Sequence, residues 1–304
     1  MKLLTIKNLN ISDKEGQAII KNVDLNIYNQ SLNVIIGESG AGKSLTVKAI
    51  LNHLPTQLHM SFDEFKMQGQ NTSGIKQLLG KHIGYISQNY AQSFNEYTRL
   101  DKQLIAIYRY HFNVSKDNAL KKIKKALTWV NLNDESIINK YSFQLSGGQL
   151  ERVNIASVLM LDPELIIADE PVSALDLSVQ AQVLNFMKNI QQEYGLSYLF
   201  ISHDLGVVKH MCDNIAIMYK GRFVEIGTRQ DIYTNPQHIY TKRLLSAIPK
   251  IDVANREAHK EERRRVEQEY RENHKDYYDE NGRVYNLHAI SPTHQVALKN
   301  GGAE

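Results

Sequence analysis

The stretch GESGAGKS, Gly37 to Ser44, places a glycine, four residues and then Gly-Lys-Ser in a row, a spacing suited to holding phosphate. Gly37, Gly40 and Gly42 allow backbone N–H groups to turn inward onto phosphate oxygens. Glu38, Ser39, Ala41 and Leu45 complete the backbone of that loop and of the helix start after it. Lys43 brings an ammonium to the β- and γ-phosphates, the Ser44 hydroxyl suits Mg²⁺, and the helix beginning there adds its positive dipole end. The context agrees, because the apolar SLNVII runs in and GKSLTVKAILNHL leaves with helical spacing.

A metal-bound phosphate needs an acidic anchor, and ELIIADE supplies one. A buried apolar strand ends at Asp169, suited to hold Mg²⁺ through water, with Glu170 next to it to polarise an attacking water. An Asp-Glu pair at a strand end is ordinary surface chemistry, but one followed by PVSALD is much less so. Gln88 ends GYISQ and can touch both metal and lytic water. His203 closes FISHD, where it can contact a γ-phosphate. A histidine at a strand end is more often structural, so its weight comes from the sheet edge it shares. The stretch SFQLSGGQLERV, Ser142 to Val153, has the serine and glycines of a phosphate grip without a lysine or a metal-holding hydroxyl. It reads as half a site.

These residues need elements to position them. LLTIKNLNI and AIIKNVDLNI alternate as strands, and HIGYISQ, ELIIAD and LSYLFIS are short apolar strands. Between Asp101 and Lys140 the chain reads as short helices, with Ser115 as an N-cap. LERVNIASVLML is helical after Gln149, SVQAQVLNFMKNIQQEYG is a helix stopped by Gly195, and a hairpin turns at Lys220-Gly221. Strands alternating with helices predict a mostly parallel sheet with a helical insert. Asn255 to Glu280 is dense in charge and predicts an exposed helix with a solvated face, fading into a mobile tail.

The 304 residues are 42% hydrophobic and 23% charged, the profile of a soluble globular chain. A net charge of +3 gives no case for a nucleic-acid partner. The single Cys212 excludes a disulfide framework or cysteine-rich metal site and suits a reducing compartment. No secretory leader and no membrane span of about 20 apolar residues is expected.

Five stretches in order, GESGAGKS, ISQ, LSGGQ, LIIADEP…SALD and ISHD, resemble the ATP-binding cassette (ABC) ATPases over about Leu3 to Lys250. The resemblance implies an α/β fold: an ABC-type P-loop NTPase with a mixed sheet core, an N-terminal antiparallel β region and a helical subdomain. It implies an ATPase domain over 1–250, the helical subdomain at about 92–150, and a charged C-terminal extension over 251–304. Lys43 and Ser44 then belong to the Walker A loop and Gln88 to the Q-loop. Ser146, Gly147, Gly148 and Gln149 form the signature, Asp169 and Glu170 the Walker B end. Asp176 falls in the D-loop, and His203 is the switch histidine. ATP and Mg²⁺ are the implied cofactors.

QNYAQSFN and NPQHIYTKRLLSAIPK look like segments of the oligopeptide, dipeptide and nickel importers, and the short LHAISPTHQVAL looks like the ends of some Gram-positive oligopeptide permease ATPase subunits. That class implies an ATP-hydrolysing subunit, peripheral at the cytoplasmic face of the bacterial membrane. Its partners would be a second, paralogous ATPase subunit, two transmembrane permease subunits and, indirectly, an extracellular solute-binding protein. Oligopeptides or dipeptides are the expected solutes; nickel or a metal chelate is the alternative. A soluble cassette ATPase ranks below both, because the chain has one cassette and no sustained heptads. A catalytically silent partner is disfavoured by Glu170 and His203.

Three departures stand out. NLNISDKEGQAII lacks the aromatic that family members stack on adenine, so aliphatics such as Ile11 or Ile19 are expected to replace it. The tail lacks the cysteines that many of the class carry, which predicts no iron–sulfur cluster. Within LSGGQLERV, Leu150 and Glu151 replace a more usual Arg-Gln pair.

Overall fold

The computed structural model describes residues 1–72, 78–172, 177–248, 256–280 and 283–299. The chain forms two compact units, Met1–Ser73 with Ile201–Glu304, and Gly74–Phe200. The first unit opens with β1 (Lys2–Ser12), β2 (Ala18–Tyr28), β3 (Leu32–Ile36) and α1 (Lys43–Ile50), then the short strands β4 (His59–Ser61), β5 (Glu64–Met67) and β6 (Gln70–Asn71). The second contains β7 (Ile83–Ile86), α2 (Leu100–His111), α3 (Lys116–Trp129), α4 (Gly147–Leu159), β8 (Leu165–Asp169) and α5 (Leu177–Tyr194). The chain passes back through β9 (Ser197–Ser202) to α6 (Leu205–Val208), β10 (Asn214–Tyr219), β11 (Arg222–Thr228), α7 (Arg229–Thr234), α8 (Ile239–Ser246), α9 (Arg256–Asn273), β12 (Leu287–Ala289) and β13 (Gln295–Ala297).

In the first unit β1 pairs antiparallel with β2, β4 and β5, and β5 with β6, forming an N-terminal antiparallel sheet. Leu4, Ile6, Leu9 and Ile11 of β1 are all buried. Their alternation slips by one residue around Asn8, which has a φ of 52° where the register with β2 shifts. A second, mixed arrangement places β3 parallel to β10, while β10–β11, β11–β13 and β12–β13 are antiparallel. The β10–β11 turn is the expected two-residue one. Lys220 (φ 48°) and Gly221 (φ 78°) are both left-handed, as strand twist requires. A Cβ on Gly221 would lie 1.8 Å from the Ile19 carbonyl oxygen, so only glycine fits.

In the second unit β7 runs parallel to β8, and all five residues of β8 are buried. Ser115 caps α3 as expected, its hydroxyl accepting from the Asn118 N–H at 3.3 Å. DESIINK makes a 3-10 turn rather than an α-helix, because the Asp134 carboxylate accepts from Ser136 N–H (2.9 Å) and closes the chain early. Gly195, at φ 64°, follows α5. No helix among the described residues is long and apolar enough to cross a membrane.

The expectation of a tail fading after α9 is corrected. Beyond the helix, β13 pairs with β11, and His294 Nε2 lies 2.7 Å from Glu225 Oε1 with both side chains buried. Glu225 also accepts the Gln237 and His238 N–H groups at 2.8 and 3.0 Å, so this buried carboxylate is fully used. Tyr278 and Tyr240 pack on Tyr219, with centroids 6.2 and 4.3 Å away. Tyrosine rings and single buried hydrogen bonds anchor this segment. They leave no apolar periodicity for a sequence pattern to reveal.

Candidate nucleotide site

The phosphate loop belongs to the first unit. It leaves the fully buried β3 and ends where α1 begins at Lys43. Gly40 and Gly42 have φ of 80° and 109°, and a Cβ on Gly42 would sit 2.4 Å from Ile20 Cδ1. The loop is tied by Ala41 N–H to the Glu38 carbonyl (3.1 Å) and by Gly221 N–H to the Ala41 carbonyl (2.9 Å). Gly42, the N-cap of α1, supplies no side-chain cap, and no acidic residue occupies the first turn, so the positive helix end is not neutralised locally. Lys43 is buried, its Nζ donating to the Gly37 and Glu38 carbonyls at 2.8 and 3.1 Å. The ammonium is therefore held inside the loop's curve. Glu38, Ser39 and Gly40 are exposed at the loop tip, Ala41 is buried and Leu45 half-buried. The Ser44 side chain is exposed at the first turn of α1.

The loop is braced from far along the chain. Glu38 N–H donates to the Tyr240 hydroxyl (3.0 Å), and Arg243 Nη1 lies 3.3 Å from the Glu38 carboxylate. Both partners come from α8, about 200 residues away, and no local signal links them. His203, exposed just past β9, also lies in this unit, beside Asp204, which caps α6 by accepting from Gly206 N–H (2.6 Å). Of the two aliphatics expected against adenine, Ile11 is corrected: it is fully buried in the β1–β2 sheet. Ile19 keeps 38% of its surface exposed, and its carbonyl abuts Gly221.

The second unit brings Gln88 and Glu170 together, Gln88 Nε2 donating to Glu170 Oε2 at 3.1 Å. Glu170 has a φ of 49°, a conformation that glutamate rarely adopts and that turns its carboxylate at the end of β8. Asp169 is buried at the strand's last position. Its charge is felt nearby: the Tyr85 hydroxyl is pushed up to about 12, by burial first and by the Asp169 carboxylate second. Asp176 lies outside the described residues.

The signature also lies in the second unit, and α4 starts three residues earlier than its hydrophobic pattern suggests. Ser146 is the N-cap: its Oγ accepts from Gln149 N–H (3.3 Å), and Gln149 Oε1 accepts from Ser146 N–H (3.1 Å). This capping box commits the Gln149 amide to the helix start and leaves Ser146 and Gly147 exposed at its positive end.

Two positions further on, Glu151 is buried, and neither carboxyl oxygen has a hydrogen-bond partner among the described residues. Burial pushes its pKa up from 4.5 to about 8, with Arg152 opposing in part. A carboxyl whose folded value is raised contributes stability that is complete below about pH 4.5. That contribution falls as pH rises and is gone above about pH 8. Glu151→Gln should flatten this dependence, raising the unfolding midpoint at pH 9 by roughly 4–8 °C with little change at pH 4. Thermal melts across that range check it; parallel pH profiles would contradict it.

Comparison with known proteins places these motifs in one family. Residues 20–173 match the ABC transporter family model, and residues 224–279 match the oligopeptide/dipeptide transporter C-terminal region. The nickel import system ATP-binding protein NikD of Staphylococcus aureus (strain USA300) is 50% identical over 245 residues, covering 81% of this chain and 95% of that protein. The NikD of strain MRSA252 matches at the same identity and coverage. Among solved structures, cbiO1 from Clostridium perfringens, part of the ABC transporter complex cbiONQ, aligns with a TM-score of 0.69 at 24% identity. That alignment covers 86% of this chain and 99% of cbiO1. The ATP-binding cassette MJ0796, in a dimeric post-hydrolysis state with ADP and Pi, aligns with a TM-score of 0.64 at 23% identity, over 74% of this chain and 98% of that one. Both share the fold: an α/β P-loop NTPase with an N-terminal antiparallel β region and a mixed sheet. The chain therefore belongs to the ABC transporter family, as one of its ATP-binding, ATP-hydrolysing subunits, in the class that carries the oligopeptide/dipeptide transporter C-terminal region.

Proposed function

We propose that this chain powers import of nickel, as the free ion or a chelate, from the cytoplasmic face of the membrane. The observation that carries the solute is the 50% identity to NikD over 95% of that protein's length. The second reading, uptake of di- or oligopeptides, is favoured by the match of residues 224–279 to the oligopeptide/dipeptide C-terminal region. In either case the partners are a second cassette, two permease subunits and an extracellular solute-binding protein. The helices within about 92–150 would meet the permease, and exposed Tyr97, Tyr110 and Phe143 give that region aromatic surface to bury.

In this reading the phosphate loop binds ATP through its N–H groups and Lys43. The family resemblance assigns Mg²⁺ to the Ser44 hydroxyl, the Asp169 carboxylate and the Gln88 amide oxygen, donor types that this ion takes. When bound, that ion would offset charge on the β- and γ-phosphates. Glu170 takes a proton from the water that attacks the γ-phosphorus, the bond to the β-phosphate oxygen breaks, and ADP and phosphate leave. Gln88 orients Glu170, and His203 contacts the γ-phosphate. Ser146, Gly147 and Gly148 grip the γ-phosphate of ATP held by the other cassette, with Asp176 serving the same contact between cassettes. Hydrolysis removes that grip and lets the pair part.

Uptake of labelled Ni²⁺, dipeptides and oligopeptides, in cells with and without the gene, tests the solute. Loss of nickel uptake alone is expected; loss of peptide uptake with nickel unaffected would replace this reading with the second.

A further inference from the structure

The C-terminal helix carries a face that packing alone does not explain. Lys260, Arg263, Arg264, Glu267, Gln268 and Arg271 recur at three- and four-residue spacing and so share one side of α9. Helices that pack against each other ordinarily fill such a stripe with apolar residues. This stripe instead lines a cleft of about 750 Å³ against α8, with Arg243 on the opposite wall and Glu38 of the phosphate loop at its edge.

The acids of the cleft are already engaged. Glu267 lies 3.0 Å from Arg243 and 3.5 Å from Arg271, and Glu38 lies 3.3 Å from Arg243. The side chains of Lys260, Arg263 and Arg264 have no ion pair or hydrogen bond among the described residues. Cations three and four residues apart on a helix repel, and the cleft sets only two acids, Glu38 and Glu267, against five cations. Guanidinium forks from two helices match phosphate oxygens in a bidentate way, and the volume exceeds what one phosphate fills.

We propose that the α8–α9 cleft is a binding site for an anion bearing two or more phosphoryl oxygens in reach of both helices, distinct from the phosphate loop. The ligand is a free polyphosphate or an anionic lipid headgroup. Arg243 belongs to both places: it closes the cleft and neutralises Glu38 in the loop. A ligand that draws Arg243 to itself takes the counter-charge from Glu38, which ties occupancy of the cleft to the loop's electrostatics. The proposal does not depend on which solute is transported.

The test uses the full chain carrying Lys43→Ala, so that binding at the phosphate loop is weakened. It is titrated with pyrophosphate by calorimetry, and tested for flotation with phosphatidylglycerol-containing or pure phosphatidylcholine vesicles. Binding to pyrophosphate or to the anionic vesicles is expected. Arg263→Ala with Arg264→Ala should weaken it tenfold or more, while Arg265→Ala, outside the cleft, should change it less than twofold. Glu38→Gln, which frees Arg243, should tighten it severalfold. Pyrophosphate binding identifies a free phosphate ligand, and vesicle binding without it identifies a headgroup. Matching thermal unfolding of all variants shows that the fold is kept. No binding to either probe, or equal loss in the Arg265→Ala control, would overturn the proposal.

Discussion

Glu170→Gln is expected to lower steady-state ATP hydrolysis by about 10²- to 10⁴-fold, the range for losing a general base, while ATP affinity stays within a few fold. The substitution keeps the shape of the side chain and removes its ability to accept a proton. Gln88 Nε2 now donates to Glu170 Oε2 at 3.1 Å, and an amide oxygen at that position can accept the same bond. The orientation should therefore survive while the chemistry does not. The left-handed backbone at Glu170 is also unaffected, since glutamine meets the same steric cost as glutamate at a φ of 49°. Nucleotide binding measured by equilibrium dialysis, beside phosphate release, separates the two effects. Retained hydrolysis would remove Glu170 from its assigned role.

Lys43→Ala should act at the opposite step. The ammonium is buried and already positioned by two loop carbonyls at 2.8 and 3.1 Å, so little ordering is required when phosphate oxygens replace them. Hydrogen bonds to a charged group contribute about 1.5–3 kcal/mol. Losing them predicts ATP binding weaker by about 10- to 100-fold. The alanine variant also strands the Gly37 and Glu38 carbonyls, so its fold must be checked by circular dichroism alongside the affinity. Unchanged ATP binding in a folded variant would contradict the assignment of the loop.

Much of this site was legible because its parts are local. The loop at Gly37–Ser44, the strand ending at Asp169 and Glu170, and the LSGGQ stretch each declare themselves within a few residues. Their physics is equally local: glycines that accept positive φ, a fully buried strand, a helix start with its cap. What escaped was long-range. Tyr240 and Arg243 brace Glu38 across more than 200 residues, and no pattern in either segment points to the other. The tail around His294 escaped for a related reason. Its anchors are the buried hydrogen bond between His294 and Glu225, the pairing of β13 with β11 and tyrosine rings packed at a tilt, not a long apolar stripe. Ile11 was misread because alternation shows that a strand has two faces, while only the pairing with β2 shows which face is buried. Glu151 was visible as an unusual residue in the signature helix, but its cost became apparent only once the helix was seen to bury it without a partner.

The claim that the LSGGQ stretch serves ATP on another cassette is tested most directly by Ser146→Arg in the assembled transporter. Photo-crosslinked nucleotide reports ATP at each cassette's loop, and phosphate release reports turnover. ATP on this chain should remain, because Lys43 and its loop are untouched, while hydrolysis at the partner's loop falls by at least tenfold. Loss of ATP from this chain's own loop with the fold preserved, or full turnover at the partner's loop, would contradict the account.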